Sequence, residues 1–367
     1  MLHSWWKASS PIRFRRCYGT RSDPLRILFC GSDDFSCVSL SALHREHVRN
    51  RGLVEALDVM VLPAKPTGRG LRRLREVPCR NLAQKLGLTI HQRDTFRQWS
   101  LPPGTNLIVA VSFGLFVPSR ILASAKYGGL NLHPSLLPDL RGPAPIHHAL
   151  LQGDTHVGIS LQTLDEKAFD HGVILAQTPA PGLHIPPRAT LQDVLRDAAH
   201  QGAEMLVQGL RSGLHLPPYR DVGWRAAQLM GRELRHAPKV TKSDGHVNWD
   251  TWTADQFVRF IRVMGSVWIY AINSKGEKKR IIFLDGEAVA AKTRWEGGIA
   301  TMMCGSEGDS QSMPGGNRIA VMIQEDNSCL FDMNNNTRIS VKRVRVEGRT
   351  EQLAAIGLGS FLMPAGA

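Results

Sequence analysis

The apolar positions of this chain fall into two textures. In the first two thirds, short unbroken apolar runs end at glycine or polar turns, with stretches of helical spacing between them. Arg26-Ile-Leu-Phe-Cys30 and Leu107-Ile-Val-Ala-Val111 are such runs, and near-continuous apolarity over so few residues predicts strands buried on both faces of a parallel sheet; Leu57-Asp-Val-Met-Val-Leu62, broken by Asp58, reads as a further strand between them. A helix is predicted after Gly31, with Ser32 or Asp33 as its N-cap, reaching about Arg45. Others are predicted over Arg80–Leu86, closed by Gly87, and over Pro145–Gln152, ended by Gly153. The clearest helix opens on Thr190-Leu-Gln-Asp193, a capping-box pattern, and continues with Leu191, Val194, Leu195, Ala198, Met205, Leu206 and Leu210 at helical spacing. Strands alternating with helices predict a doubly wound, Rossmann-like α/β domain over residues 23–213. A polar, Arg-containing stretch reads as a linker over 214–235. From 236 to 367 the texture becomes one helix, Ala254–Met264, followed by short β-rich runs: Val267–Ile272, Arg280–Leu284, Ile319–Ile323, Ser328–Asp332 and Arg338–Val346. Such spacing predicts a small, OB-like β-barrel. Residues 305–317 read as a flexible loop by composition.

Composition adds little to this picture, but the distribution of charge changes it. The 367 residues suffice for two cores, and 43% hydrophobic and 21% charged residues are ordinary for a globular chain. No apolar run approaches a membrane span, so no membrane insertion is expected. The six cysteines form no C-x-x-C pair, which suits a reducing compartment, and no metal site is expected. The net charge of +13 is local. Residues 1–22 hold five Lys/Arg (Lys7, Arg13, Arg15, Arg16, Arg21) and no acid, as a mitochondrial transit peptide does; a disordered basic tail is the alternative. Residues 65–80 hold six bases, including Lys65, Arg69, Arg72 and Arg73, against Glu76. A basic loop beside an active site suits a polyanionic substrate; a merely solvated charged loop is the competing reading. Arg343 and Arg345 alternate with valines, so on a strand they share a face and could meet a phosphate backbone, or simply protect a sheet edge.

The candidate chemistry sits in Gly128–Pro145. Leu130 and Leu132 alternate with Asn131 and His133 until Pro134, which has no backbone donor, stops the ladder. Asn131 and His133 therefore leave one face at the end of a strand. An amide and an imidazole aimed at one point can stabilise an oxyanion and move a proton; a polar strand end with a solvated histidine is the plainer alternative. Downstream, Gly158–Gln162 and Val173–Gln177 flank a hairpin-like excursion with two carboxylates, Asp165 and Asp170. Spacing does not separate them, and either can serve as a turn residue capping its own backbone.

Asn131-Leu-His133-Pro-Ser135-Leu136-Leu137-Pro138, followed by Arg141-Gly142 and Pro145, resembles the signature of the folate-dependent formyltransferases. Gly158-Ile-Ser-Leu-Gln with Phe169-Asp170-His171-Gly172 resembles the segment holding that family's catalytic aspartate, and Pro66-Thr67-Gly68-Arg69-Gly70 resembles the inserted loop of the branch acting on methionyl-tRNA. The resemblance implies formyl transfer from 10-formyltetrahydrofolate with Asn131, His133 and Asp170 as the catalytic trio. It places the folate against Ser135, Leu136, Leu137 and Pro138 and the exit loop with Phe113 and Gly114. It implies methionyl-tRNA as acceptor, with Lys65, Arg69, Arg72, Arg73, Arg343 and Arg345 as candidate tRNA contacts, no metal, and a monomer in the mitochondrial matrix. Pro134, Phe169 and His171 depart from the commoner family residues. A formyltransferase for a small amine and a non-catalytic RNA-binding relative are the other classes this pattern allows.

Overall fold

The computed structural model describes residues 22–67, 70, 72–290, 299–305 and 318–364. The expected leader up to Arg21, Arg69, the side chain of Arg73 and the loop over 306–317 lie outside the described residues. The chain divides into two compact units, one up to Lys239 and one from Val240. The stretch over 214–235 belongs to the first of these. There Arg235 bonds to Asp139 and Asp154, and Trp224 Nε1 donates to the Thr178 carbonyl at 2.7 Å.

The first unit runs β1 (Leu25–Gly31), α1 (Asp34–Arg49), β2 (Val54–Val61), β3 (Lys65–Thr67), β4 (Arg73–Arg75), α2 (Pro78–Lys85), β5 (Ile90–Gln92) and β6 (Leu107–Val111). It continues with α3 (Ser119–Leu122), β7 (Gly129–His133), α4 (Pro145–Gln152), β8 (His156–Val157), β9 (Ser160–Thr163), β10 (Ile174–Gln177), β11 (Leu183–His184), α5 (Leu191–Arg211) and α6 (Trp224–Gln228). Seven strands form one sheet in the order β10-β9-β7-β6-β1-β2-β5. It is parallel from β5 to β7, and β9 and β10 add an antiparallel edge. This is the Rossmann-like sheet expected. The apolar runs are its centre: all of β6 is buried, and Leu28, Phe29, Cys30 and Val59 are fully enclosed. Helix α5 has the expected box, with Thr190 and Asp193 capping each other. It packs so closely on the sheet that a Cβ at Gly202 would lie 2.8 Å from Leu132.

Strand order reverses between β1 and β6, because β2 follows β1 on one side and β6 follows it on the other. A crevice opens at such a point, at the carboxyl ends of the strands. The loops after Gly31, Val111 and His133 all leave there. The basic stretch between β2 and α2 is a short exposed hairpin, β3–β4, with Lys65 opposite Arg75.

The second unit contains α7 (Ala254–Met264) and a barrel-like antiparallel sheet of ten strands: β12 (Val267–Ile272), β13 (Lys278–Phe283), β14 (Glu287–Val289), β15 (Ile299–Gly305), β16 (Arg318–Ile323), β17 (Cys329–Met333), β18 (Thr337–Val341), β19 (Arg343–Val346), β20 (Glu351–Leu353) and β21 (Leu362–Pro364). Trp249, Phe257, Phe283 and Phe331 meet at its centre, Trp249 and Phe331 at 5.5 Å between ring centroids. The run Arg338–Val346, expected as one strand, is two. The Lys342 and Arg343 amides donate to Asp285 Oδ1 at 2.8 and 3.1 Å, and the chain moves from the β17 side of the sheet to the β13 side. Among the described residues no helix is long and apolar enough to cross a membrane.

Candidate active site

The end of β7 holds the expected pair. Asn131 is opposite Ala110 of β6 and opposite Gln162 of β9, so the loop Ser112–Gly114 is its neighbour in space. The chain enters that loop through Ser112 at φ +46°, and Ser32 Oγ holds the Phe113 carbonyl at 3.2 Å. Across the strand, the β9–β10 hairpin brings Asp170 over the end of β7.

Asp170 is the hub. Its side chain is 9% exposed, and its Oδ1 lies 3.3 Å from His133 Nδ1. The same oxygen accepts from Asn131 Nδ2 at 3.2 Å and from Gln162 Nε2 at 3.3 Å. Its Oδ2 accepts from the Gly142 amide at 2.9 Å, and its carbonyl accepts from Arg141 Nε at 2.9 Å. The backbone takes φ +60°, a conformation that Asp tolerates better than most residues. Gly172 follows because nothing larger fits: an added Cβ would lie 1.7 Å from the Thr163 carbonyl oxygen. Gly142 has φ +122°, and a Cβ there would lie 2.5 Å from the Ala237 oxygen. Each glycine of the motif thus permits an approach that sets the carboxylate.

His133 is buried between this carboxylate and the Leu140 carbonyl, 3.1 Å from Nε2. Both ring nitrogens face oxygen acceptors, so a proton taken up by the ring has a partner waiting. Asn131 spends one amide hydrogen on Asp170 and has a second to offer. The trio borders a cavity of about 470 Å³, walled by Phe113, Leu115, Phe116, Val117, Leu132, Leu164 and Phe169, with Asn131, His133, Gln162 and Asp170 among its polar residues. That size and its apolar walls, with few polar groups, suit a small organic ligand. Phe116 and Phe169 meet edge to face at 5.2 Å, with Phe169 exposed.

Phe113 and Gly114 line this cavity, together with Pro134, which opens the loop Ser135–Pro138. That loop folds inward. Ser135 Oγ donates to the Asp139 carbonyl at 2.7 Å, and the Leu137 amide donates to Ser160 Oγ at 3.1 Å. Leu136 fills the space above Gly158, where a Cβ would lie 2.1 Å away. The loop is a wall that fixes His133, and Ser135 and Leu136 face a second hollow beside Asp139 and Arg235. Asp165 caps its own loop, accepting from the Lys167 and Ala168 amides at 2.8 and 2.9 Å. Those bonds hold its carboxyl below the ordinary range.

Asp33, read from the sequence only as an N-cap, and Gln162, read only as a strand residue, also border the cavity. Asp33 caps α1 through the Ser36 amide at 2.9 Å. Burial pushes its carboxyl above the ordinary range, against bonds from Ser36 and Ser112. Gln162 bonds Asp170 on one side and accepts from the Gly172 amide at 3.1 Å on the other. Of the candidate tRNA contacts, Lys65 and Arg72 are exposed. Arg343 is held by Asp285 at 2.9 Å and Glu351 at 2.8 Å, and Arg345 is exposed on the same strand. Among the described residues no cluster of three or more His, Cys, Asp or Glu side chains could hold a metal ion.

Comparison with known proteins places the chain in a family. A family model described as formyl transferase matches residues 25–210. The mitochondrial methionyl-tRNA formyltransferase of Homo sapiens is 31% identical over 267 residues, which cover 71% of this chain and 63% of the human protein. That of Saccharomyces cerevisiae is 31% identical over 304 residues, covering 71% of this chain and 74% of the yeast protein. The match thus spans less than two thirds of the human relative's length. Among solved structures, the N-formyltransferase of Helicobacter canadensis, in complex with folinic acid and dTDP-3-aminofucose, shares the fold at a TM-score of 0.50 and 13% identity, over 86% of this chain and 98% of that one. From the site outward, and by its relatives, the chain belongs to the formyl transferase family, with the methionyl-tRNA formyltransferases.

Proposed function

We propose that the chain transfers the formyl group of 10-formyltetrahydrofolate to the α-amino group of methionyl-tRNA, giving formylmethionyl-tRNA for translation initiation in the mitochondrial matrix. The observation that carries this reading is the convergence of Asn131 and His133 on Asp170 at the mouth of an apolar cavity. The cavity would take the folate, with Phe113 and Gly114 on one wall. The amine attacks the formyl carbon, and the carbonyl oxygen gains negative charge. Asn131 offers that oxygen its second amide hydrogen. His133, held by Asp170, takes part in moving the amine proton toward the departing nitrogen.

The acceptor assignment draws on the β3–β4 hairpin. Lys65 stands opposite Arg75 there, and like charges in that position repel. A tRNA phosphate would relieve the repulsion, so the contacts are assigned to Lys65, Arg69, Arg72 and Arg73 before Arg343. Both relatives described above bear mitochondrial names, and the basic stretch over 1–22 fits the same address.

Formyl incorporation into mitochondrial methionyl-tRNA, with 10-formyltetrahydrofolate as donor, tests the reading. Transfer to the tRNA that weakens as KM in Arg72→Ala, with a shallower salt dependence, supports it. Transfer to a small amine and none to tRNA overturns the acceptor, and no transfer at all overturns the activity.

A further inference from the structure

Two cysteines that the proposed transfer does not use face each other where α2 packs on the first turn of α1. The Sγ atoms of Cys37 and Cys79 are 3.5 Å apart. Cys79, second residue of α2, is fully buried. Its amide donates to the Ser32 carbonyl at 3.3 Å, and its sulfur lies 3.1 Å from Ser36 Oγ. Cys37 is half-buried and lines an open surface hollow with Asp34, Arg75, Glu76 and Pro78. One sulfur is within reach of solvent, and a second waits directly behind it. That is the arrangement of an attacking and a resolving thiol.

We propose that Cys37 and Cys79 form an oxidative-modification site, a dithiol that a hydroperoxide converts to an intramolecular disulfide. The Cys37 thiolate attacks the O–O bond of hydrogen peroxide. A sulfenic acid forms on Cys37 and the leaving hydroxide takes a proton to become water. The Cys79 sulfur then displaces the hydroxyl of the sulfenic acid, losing its own proton to make a second water. Two thiols are oxidised and one peroxide is reduced to two waters. Closing the bond needs about 1.5 Å of approach, to an S–S distance of about 2 Å, which rotation of the half-exposed Cys37 side chain can supply.

The electrostatics favour the same assignment of roles. The hydrogen bond with Cys79 holds the Cys37 thiol below its ordinary range, against partial burial and the charges of Asp34 and Asp33. The same bond and burial push Cys79 up. Burial pushes the Cys304 and Cys329 thiols up to about 12 and also raises Cys30, so these three are poor nucleophiles. The bond would tie the start of α2, directly after the basic hairpin, to the turn whose Asp33 borders the catalytic cavity.

The test treats the reduced full-length protein with hydrogen peroxide, alkylates the remaining thiols, digests without reductant and maps the peptides by mass spectrometry. The expected result is a Cys37–Cys79 crosslinked peptide, two fewer titratable thiols than in untreated protein, and recovery of both with dithiothreitol. Cys37→Ser, a mild change at a half-exposed position, should abolish the crosslink and leave Cys79 alkylatable after unfolding. Cys37 found as sulfinic acid beside a free Cys79 would overturn the proposal. So would a crosslink to another cysteine, or one that survives in Cys37→Ser.

Discussion

Asp170 and Asp165 stand five residues apart on one hairpin, and the proposed transfer uses only Asp170. Asp170→Asn keeps the shape and removes the charge. The new amide group must face either the three donors at Oδ1 or the Gly142 amide at Oδ2. The cheaper rotamer keeps Oδ1 and sets an N–H against the Gly142 N–H. One unmatched buried donor costs about 1–3 kcal/mol, and the surviving bonds lose their charge assistance, roughly half their strength. The expected loss of stability is therefore about 2–4 kcal/mol. The rate should suffer more. His133 loses the carboxylate that orients it and shares its proton, so single-turnover formyl transfer should fall by about 10²–10⁴. Asp165→Asn should do neither, because an Asn oxygen can still accept from the Lys167 and Ala168 amides and Asn caps as well as Asp. Urea unfolding followed by tryptophan fluorescence gives the first quantity, and quenched-flow transfer gives the second. A folded Asp170→Asn protein with transfer within about tenfold of wild type, or a larger rate loss in Asp165→Asn, would refute the assignment.

Three further outcomes follow from the same geometry. Gly142→Ala should cost about 2 kcal/mol or more, since φ +122° is strained for alanine and its Cβ meets the Ala237 oxygen; thermal unfolding together with kcat checks both the strain and the displaced Asp170. Arg235→Met should cost about 2 kcal/mol at neutral pH, allowing for screening of a guanidinium that is one third exposed. Burial works to raise the Asp139 carboxyl and Arg235 overcomes it, leaving it below the ordinary range. That stability is present above the unfolded carboxylate pKa and is lost as pH falls through the lower folded value, so urea midpoints of wild type and variant should converge in acid. His215 is enclosed, and burial lowers its pKa to about 4. The folded state binds this proton less tightly than the unfolded state, so stability is full above about 6.5 and declines by about 3 kcal/mol as pH falls to 4; urea unfolding across that range should show a shallower slope in His215→Gln.

How much of this was legible in the sequence depends on how local the cause is. Asn131 and His133 could be placed on one face at a strand end because alternation and Pro134 settle it within five residues. The buried strands and the capping box at Thr190 are local in the same sense. Choosing Asp170 over Asp165 from spacing was beyond reach, because the donors that single it out come from Asn131, His133, Gly142 and Gln162 on other segments. The course of the loop Ser135–Pro138 is not a local matter either: Ser160 accepts from the Leu137 amide and donates to the Ser135 carbonyl, and Gly158 leaves room for Leu136. The strand break at Lys342 is invisible locally, because Asp285, far back in the chain, takes the two amides that would have continued the ladder.

Arg343 shows what a tally of basic residues leaves out. On paper, Lys342, Arg343 and Arg345 are a positive strip in a positive protein. In the fold, Lys342 and Arg343 stand among Asp285, Glu287 and Glu351, two cations against three carboxylates. Pairs on an exposed surface add little to stability, but they reshape the field. Beyond roughly 8 Å, where ions screen what remains, an approaching phosphate senses the sum of that cluster and not the arginine. A polyanion is drawn by unanswered charge, and among the described residues Lys65 and Arg75 of the hairpin, where like meets like, carry more of it than the barrel strand that looks as basic in print.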